Sequence, residues 1–261
     1  MHLPALTVVM PAYNEAQGLP GFVREVADAL RPYTDRLRIV IVDDKSTDDT
    51  GTVLEALAQE LPELIVVRSP KNQGHGPTAL AAYRAGLETA PDAVLHVDGD
   101  GQFVGEDFPR MLEALEGVQV VHGVRTGREE PWFRRALTGT VGAGVALLAH
   151  GRVPDVNTPL RLYRTSILRR LLDVCPPDAL VPHVHFSIAE QRHRVPRAFV
   201  PVRSIPRRGA SSTGTMWGAT PAKPKLPPKR LIQFSARAAG EVWRYDVLSR
   251  SVPAQTADQP A

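Results

Sequence analysis

The chain has 261 residues, 43% of them hydrophobic and 23% charged, with a formal net charge of +3, which is enough apolar material for one large or two small globular domains. The longest uncharged run, between Arg135 and His150, falls short of the roughly 20 apolar residues a spanning helix needs, so no transmembrane segment is expected. The opening MHLPALTVVMPAYNEAQ does not read as a secretory signal, and the lone Cys175 has no partner for an internal disulfide; a cytoplasmic location is expected.

In chain order, LTVVMP (6–11) reads as a strand and 19–30 as a helix. LRIVIVDD (37–44) is a second strand, followed by a helix over 48–60 with Val53, Leu54, Leu57 and Leu61 on one face; Ser46 and Asp49 resemble a capping box at its start. LIVVR (64–68) leads to a helix over 77–89, AVLHVD (93–98) to a helix over 106–115, and VQVVHG (118–123) is a fifth strand. These strands are apolar on both faces, as in a mostly parallel sheet covered by helices on both sides. After Arg128 the rhythm changes: helix 131–150, strand 158–164, helices 165–173 and 183–193, and a last strand 197–203. Residues 1–205 are read as the folded domain. Residues 206–261 are read as a basic extension rich in Pro, Gly and Ser, with a short helix over 229–247 and a disordered tail.

Between Arg203 and Arg250 ten basic residues stand against Glu241 and Asp246. This end seeks anions: a phosphate-bearing substrate, an anionic membrane surface, or nucleic acid. The last has no recognition motif or aromatic platform to support it and is excluded as a partner.

In an open parallel sheet, ligands bind beyond the carboxyl ends of the strands. There the sequence places Pro11, Tyr13, Asn14 and Glu15 after the first strand, and Asp43, Asp44 and Lys45 after the second. Asn72, Gly74 and Gly76 follow the third, and Asp98, Asp100 and Gln102 the fourth. Carboxylates converging on one rim repel a phosphate unless a divalent cation bridges them. Mg²⁺ and Mn²⁺ bind one or two carboxylates together with substrate phosphates. Asp98, Asp100 and Gln102 are therefore read as a metal–diphosphate site, and Asp43 and Asp44 as acceptors for a ribose hydroxyl or base edge. The absence of GxxxxGK[ST] excludes a P-loop NTPase. The HxH pair His183 and His185 is a weak metal signal and is read as packing or an acceptor contact.

VVMPAYNE, IVIVDDKSTDDT, NQGHG and HVDGDGQF, in this order, resemble the inverting glycosyltransferases of family 2, which have the GT-A fold. DVNTPLRLYR extends the resemblance toward dolichol- and polyprenyl-phosphate sugar synthases, and the likeness covers about residues 5–212. It implies that Pro11, Tyr13, Asn14, Glu15 and Asp43 hold the nucleotide and that Asp98, Asp100 and Gln102 bind the metal, with Asp100 serving catalysis. It also implies an acceptor-side Asp155, and Arg125, Arg134, Arg161 and Arg208 at phosphate-binding positions, to which the sequence adds Arg128. Lys45 stands where this family often has Gly, and either adds a charge near the nucleotide or points outward. Pro159 and Leu160 replace a commoner Gly-Phe.

The expected partners are a nucleotide-diphosphate sugar donor and an acceptor. A hydroxyl acceptor requires a base, for which Asp155 is the candidate; a lipid phosphate requires only cations to position it. The first choice is a polyprenyl-phosphate acceptor, with the enzyme peripheral on the inner membrane face. The alternatives are a soluble enzyme acting on a small metabolite or glycan and a non-catalytic nucleotide-sugar sensor.

Overall fold

The computed structural model describes residues 1–126, 153–209 and 229–248, together with positions 139 and 146. Seven strands among them form one sheet: β1 (Leu3–Ala12), β2 (Thr34–Asp43), β3 (Leu64–Arg68), β4 (Ala93–His96), β5 (Val120–Thr126), β6 (Arg161–Arg164) and β7 (Arg197–Arg203). Their order is β3-β2-β1-β4-β6-β5-β7. β1, β2, β3 and β4 pair in parallel, as do β5 and β7, while β6 runs antiparallel to β4 and β5.

The two-residue period of the strands sorts their side chains onto two covered faces. Leu6, Val8 and Met10 of β1, Ile39 and Ile41 of β2 and Leu95 of β4 point to one core. It is closed by α1 (Leu19–Leu30), α2 (Thr50–Glu60) and α4 (Asp107–Glu113) through Phe22, Leu54, Leu57, Phe108 and Met111. Val9, Val40, Val42 and Val94 point the other way. They meet α3 (His75–Leu87), α5 (Thr165–Val174) and α6 (Pro182–Arg192) through Leu80, Tyr83, Leu168 and Phe186. The last helix, α7 (Lys229–Val242), continues into a π turn, Trp243–Leu248.

Every strand and helix expected within the described residues is present, with ends shifted by a few residues. The expected helix 131–150, except for positions 139 and 146, most of the 207–228 linker and the tail lie outside them. One local reading is corrected: Ser46 and Asp49 form no capping box, and no side chain caps α2 from Asp49. Asp48 takes that work, its Oδ1 accepting from the Thr50 N–H at 3.0 Å and from Thr50 Oγ1, while Ser46 Oγ donates to Asp43.

The neighbours of β1 are β2 on one side and β4 on the other, so winding reverses between β1 and β4 and the sheet has its switch point there. Because β6 runs backwards, the segment entering it at Asp155–Leu160 reaches the same edge as the exits of β1, β2, β4, β5 and β7. One reversed strand thus brings the later polar residues to the rim built by the earlier ones.

Candidate active site

Asn14 ties the first two loops together. Its backbone sits at φ 56°, a left-handed geometry that Asn tolerates better than most residues. Its N–H donates to Ser46 Oγ at 2.9 Å, and its Oδ1 accepts from the Thr47 N–H at 2.8 Å. Glu15 continues the join, its N–H donating to Thr50 Oγ1 at 2.8 Å. Asp43 accepts from the Ser46 N–H at 3.1 Å. Both oxygens of Asp44 are taken by the loop before α3, accepting from the Gln73 and Gly74 N–H groups at 2.8 Å each, so Asp44 shapes that loop in this structure. Lys45 is exposed and has φ 55°: it points outward and occupies the conformation for which glycine is the usual residue.

The Asp98–Gln102 loop hangs from the end of β1. The Val97 N–H donates to the Val9 carbonyl at 3.1 Å and the Gly99 N–H to the Pro11 carbonyl at 3.2 Å. Gly101 takes φ +67°, where a side chain would be strained, and a Cβ there would lie 2.8 Å from Arg208 Cδ. The Gln102 N–H folds back onto Asp100 Oδ1 at 3.2 Å.

This loop concentrates negative charge. Asp98 Oδ1 is buried without a hydrogen-bond partner; the nearest cationic candidate, His75 Nε2, lies 3.6 Å away, beyond hydrogen-bonding reach. Burial, then the charges of Asp98 and Glu15, push the Asp100 carboxyl up to about 7. Glu15 is also raised, by burial, against the pull of Arg207. An orphaned carboxylate oxygen beside a carboxyl held near neutrality fits a divalent cation, which supplies the missing counter-charge. Among the described residues no three His, Cys, Asp or Glu side chains form a ready cage.

Two arginines beyond β7 close over this loop. Arg207 pairs with Glu15, Nη2 to Oε1 at 2.5 Å and Nε to Oε2 at 3.1 Å. Arg208 is embedded: its N–H donates to the Asp100 carbonyl at 3.0 Å, Nε to the Gly101 carbonyl at 3.0 Å and Nη2 to the Phe103 carbonyl at 2.9 Å. Its Nη1 pairs with Glu25, and its guanidinium lies over the Phe22 ring at 5.1 Å. Across the switch point, Arg125 Nε and Nη2 donate to the two oxygens of Asp155 at 2.8 and 2.9 Å. Arg161 is fully buried beneath that pair, its Nη2 donating to the Val156 carbonyl at 2.6 Å and Nε to the Thr158 carbonyl at 3.0 Å.

The model of the family Glycosyl transferase family 2 matches residues 7–172. This chain belongs to glycosyltransferase family 2. The undecaprenyl-phosphate 4-deoxy-4-formamido-L-arabinose transferase of Aeromonas hydrophila is 31% identical over 189 residues, 71% of this chain and 57% of that protein. The enzyme of the same name from Pseudomonas fluorescens is 32% identical over 193 residues, 73% and 56% of the two chains. This glycosyltransferase therefore spans a little over half the length of those relatives. Glucosyl-3-phosphoglycerate synthase from Mycobacterium tuberculosis, solved with Mn²⁺, UDP and phosphoglyceric acid, superposes with a TM-score of 0.66 at 18% identity. The match covers 97% of this chain and 80% of that one. The form with Mn²⁺ and UDP-glucose gives 0.62 at 20% identity, over 97% and 81%. At such identity the likeness establishes the fold, and that fold is GT-A.

Of the expected site residues, this glycosyltransferase gathers Pro11, Tyr13, Asn14, Glu15, Asp43, Asp44, Asp98, Asp100 and Gln102 at the switch point, with Arg125, Asp155 and Arg208 on the same edge. Arg128 and Arg134 lie outside the described residues. Arg161 and Arg208 present no loose guanidinium to a phosphate, since both are engaged by the protein's own carbonyls. His183 packs in the core, Nε2 to Tyr83 Oη at 3.0 Å, and His185 is held by two carboxylates. Sequence reasoning missed Arg207 and Glu25 as closing residues. The Arg-Arg doublet marks the place, but no spacing in it tells which guanidinium meets the loop carbonyls and Glu25 and which pairs with Glu15.

Proposed function

We propose that this glycosyltransferase transfers a sugar, with inversion, from a UDP- or GDP-sugar to the phosphate of a polyprenyl lipid, with Mg²⁺ or Mn²⁺ held by Asp98, Asp100 and Gln102. Inversion follows from one in-line displacement: the anomeric carbon loses the nucleotide diphosphate as the acceptor oxygen attacks from the opposite side. When bound, the ion stabilises charge on the departing diphosphate as a Lewis acid. The chain's own part is to hold the acidic loop against the end of β1, to lock the nucleotide loops through Asn14, and to cover the site with the segment carrying Arg207.

The observation that carries the choice of acceptor is the Arg125–Asp155 pair. Both Asp155 oxygens accept from one guanidinium fork at 2.8 and 2.9 Å, and a carboxylate so engaged is a poor base for a hydroxyl. A phosphate acceptor already carries its charge and needs no base, only a cation near its path. The printed names of the relatives, undecaprenyl-phosphate transferases, support the same choice. The test is to incubate the chain with UDP- and GDP-sugars, Mn²⁺ and undecaprenyl phosphate and to assign the anomer of any lipid-linked product. Inverted glycosyl-phosphoryl-lipid is expected. Transfer only to soluble acceptors would replace this reading with the small-metabolite one, and no nucleotide release under any condition would point to a sensor.

A further inference from the structure

The α7 helix and its π turn carry Glu241, Asp246 and Leu231 inward and their basic residues, with Ile232, Trp243, Tyr245 and Leu248, outward. Glu241 accepts from His185 Nε2 at 2.9 Å, and both its oxygens take the Leu180 N–H at 3.0 Å. Asp246 lies 2.6 Å from His185 Nδ1, and its carbonyl accepts from Arg192 Nη2 at 2.5 Å. With Leu231 buried, these contacts fix one face of α7 and the π turn to the domain. The opposite face carries Lys229, Arg230, Arg237 and Arg244, all exposed. Ile232, Trp243, Tyr245 and Leu248 are 55%, 59%, 43% and 66% exposed. At about 100° per residue, Ile232, Ala236, Ala239 and Trp243 fall in one stripe and Arg230, Arg237 and Arg244 in a second, about 130° round the helix, with Lys229, Gln233 and Gly240 on the outward strip between them.

Large apolar side chains exposed together at one end of a domain are unusual in a monomer. Here they include a Trp and a Tyr, whose rings suit the boundary between headgroups and acyl chains. They are interleaved with cations only, since the acidic residues of the segment are spent on His185. We infer that α7 and its π turn are a docking surface for an anionic lipid bilayer: Ile232, Trp243 and Leu248 enter the headgroup boundary and the arginines pair with lipid phosphates. The His185 clamp makes the attachment rigid, so a bilayer bound by this face has a set orientation toward the domain. The inference rests on the lipid-acceptor reading for its purpose only. Vesicle binding and nucleotide release are separate measurements, and either can fail without the other.

The full chain is floated with phosphatidylcholine vesicles with and without phosphatidylglycerol, at low and high salt. Flotation is expected with the anionic vesicles, lost at high salt. Arg230→Gln/Arg237→Gln should weaken it at least tenfold, and Trp243→Ser should weaken it at both salt levels. Both variants change exposed side chains, and unchanged far-UV dichroism and manganese-dependent nucleotide release confirm that the domain is intact. Equal binding to neutral and anionic vesicles, no binding, or indifference to the arginine pair overturns the inference. So does a dimer in light scattering that Trp243→Ser dissolves, because the face would then join two copies of the chain.

Discussion

Arg161 Nη2 donates to the Val156 carbonyl at 2.6 Å, so a fully buried cation fastens the residue next to Asp155. The same guanidinium reaches Ser187 Oγ and Tyr163 Oη at 3.1 Å each and faces Glu190 at 3.7 Å, while Glu190 also meets His122 at 2.9 Å. A lysine keeps the charge but cannot reproduce this fork. Arg161→Lys is therefore expected to lower kcat by about ten- to a hundredfold through misplacement of the Asp155 loop, with nucleotide Kd unchanged. Arg161→Met removes one of the cations that face the buried Glu190 and leaves the Val156 and Thr158 carbonyls without their donor, and should cost about 3–5 kcal/mol in urea unfolding. Wild-type kcat in a folded Arg161→Lys protein removes the positioning role.

Asp100→Ala deletes one of the two carboxylates beside the orphaned Asp98 oxygen. Turnover should fall by about a hundredfold or more, and manganese should no longer tighten nucleotide binding in calorimetry. Chelator should do the same to the unaltered chain. Nucleotide affinity indifferent to manganese and chelator would refute the cation site.

Gly76 lies against the turn before α6, where an added Cβ would stand 2.3 Å from the Ala179 carbonyl oxygen and 2.5 Å from that of Leu180. Backbone atoms cannot swing aside, so Gly76→Ala should destabilise by roughly 1–3 kcal/mol. Gly21→Ala, with nothing within 4 Å of the added carbon, is the matched control. Equal denaturation midpoints for the two would contradict the packing described.

Burial alone would lower the His185 pKa, but hydrogen bonds to Asp246 and Glu241 outweigh it and raise it to about 9. A histidine raised in the folded state stabilises fully below its unfolded value near 6.5 and loses that contribution as pH climbs through about 9. The full effect is on the order of 3 kcal/mol. Hydrogen exchange, corrected for its intrinsic pH dependence, should show α7 best protected near pH 6 and progressively freed toward pH 10. His185→Gln should flatten that profile. A pH-independent α7 would show that the clamp does not depend on the histidine's charge.

Most of the fold was legible because strands covered on both faces are written as continuous apolar runs, and VLHVDGDGQF shows both the strand and the acidic loop that ends it. The rim loops were legible for a different reason: carboxylates and glycines are common at any one strand exit, but four such exits converging on one edge point to a site. The direction of β6 was not, since RLYR reads alike in either sense and only its partners decide. Nor was the fate of each arginine. Arg161 and Arg208 look like phosphate ligands in one dimension, and only packing reveals that carbonyls of their own chain have claimed them. Lys45 illustrates the converse: its left-handed φ is marked in the sequence only by the Gly common at that place in the family it resembles.

The reversed β6 also divides the protein's labour along its length. On the proposed function the donor groups come from residues 11–102, covered by Arg207 and Arg208, while Arg125 and Asp155 come from later in the chain, and the two portions of sheet meet along the β4–β6 seam, Ala93–His96 against Arg161–Arg164. On that reading a chimera joined just after α4 is expected to retain its sugar preference while exchanging its target.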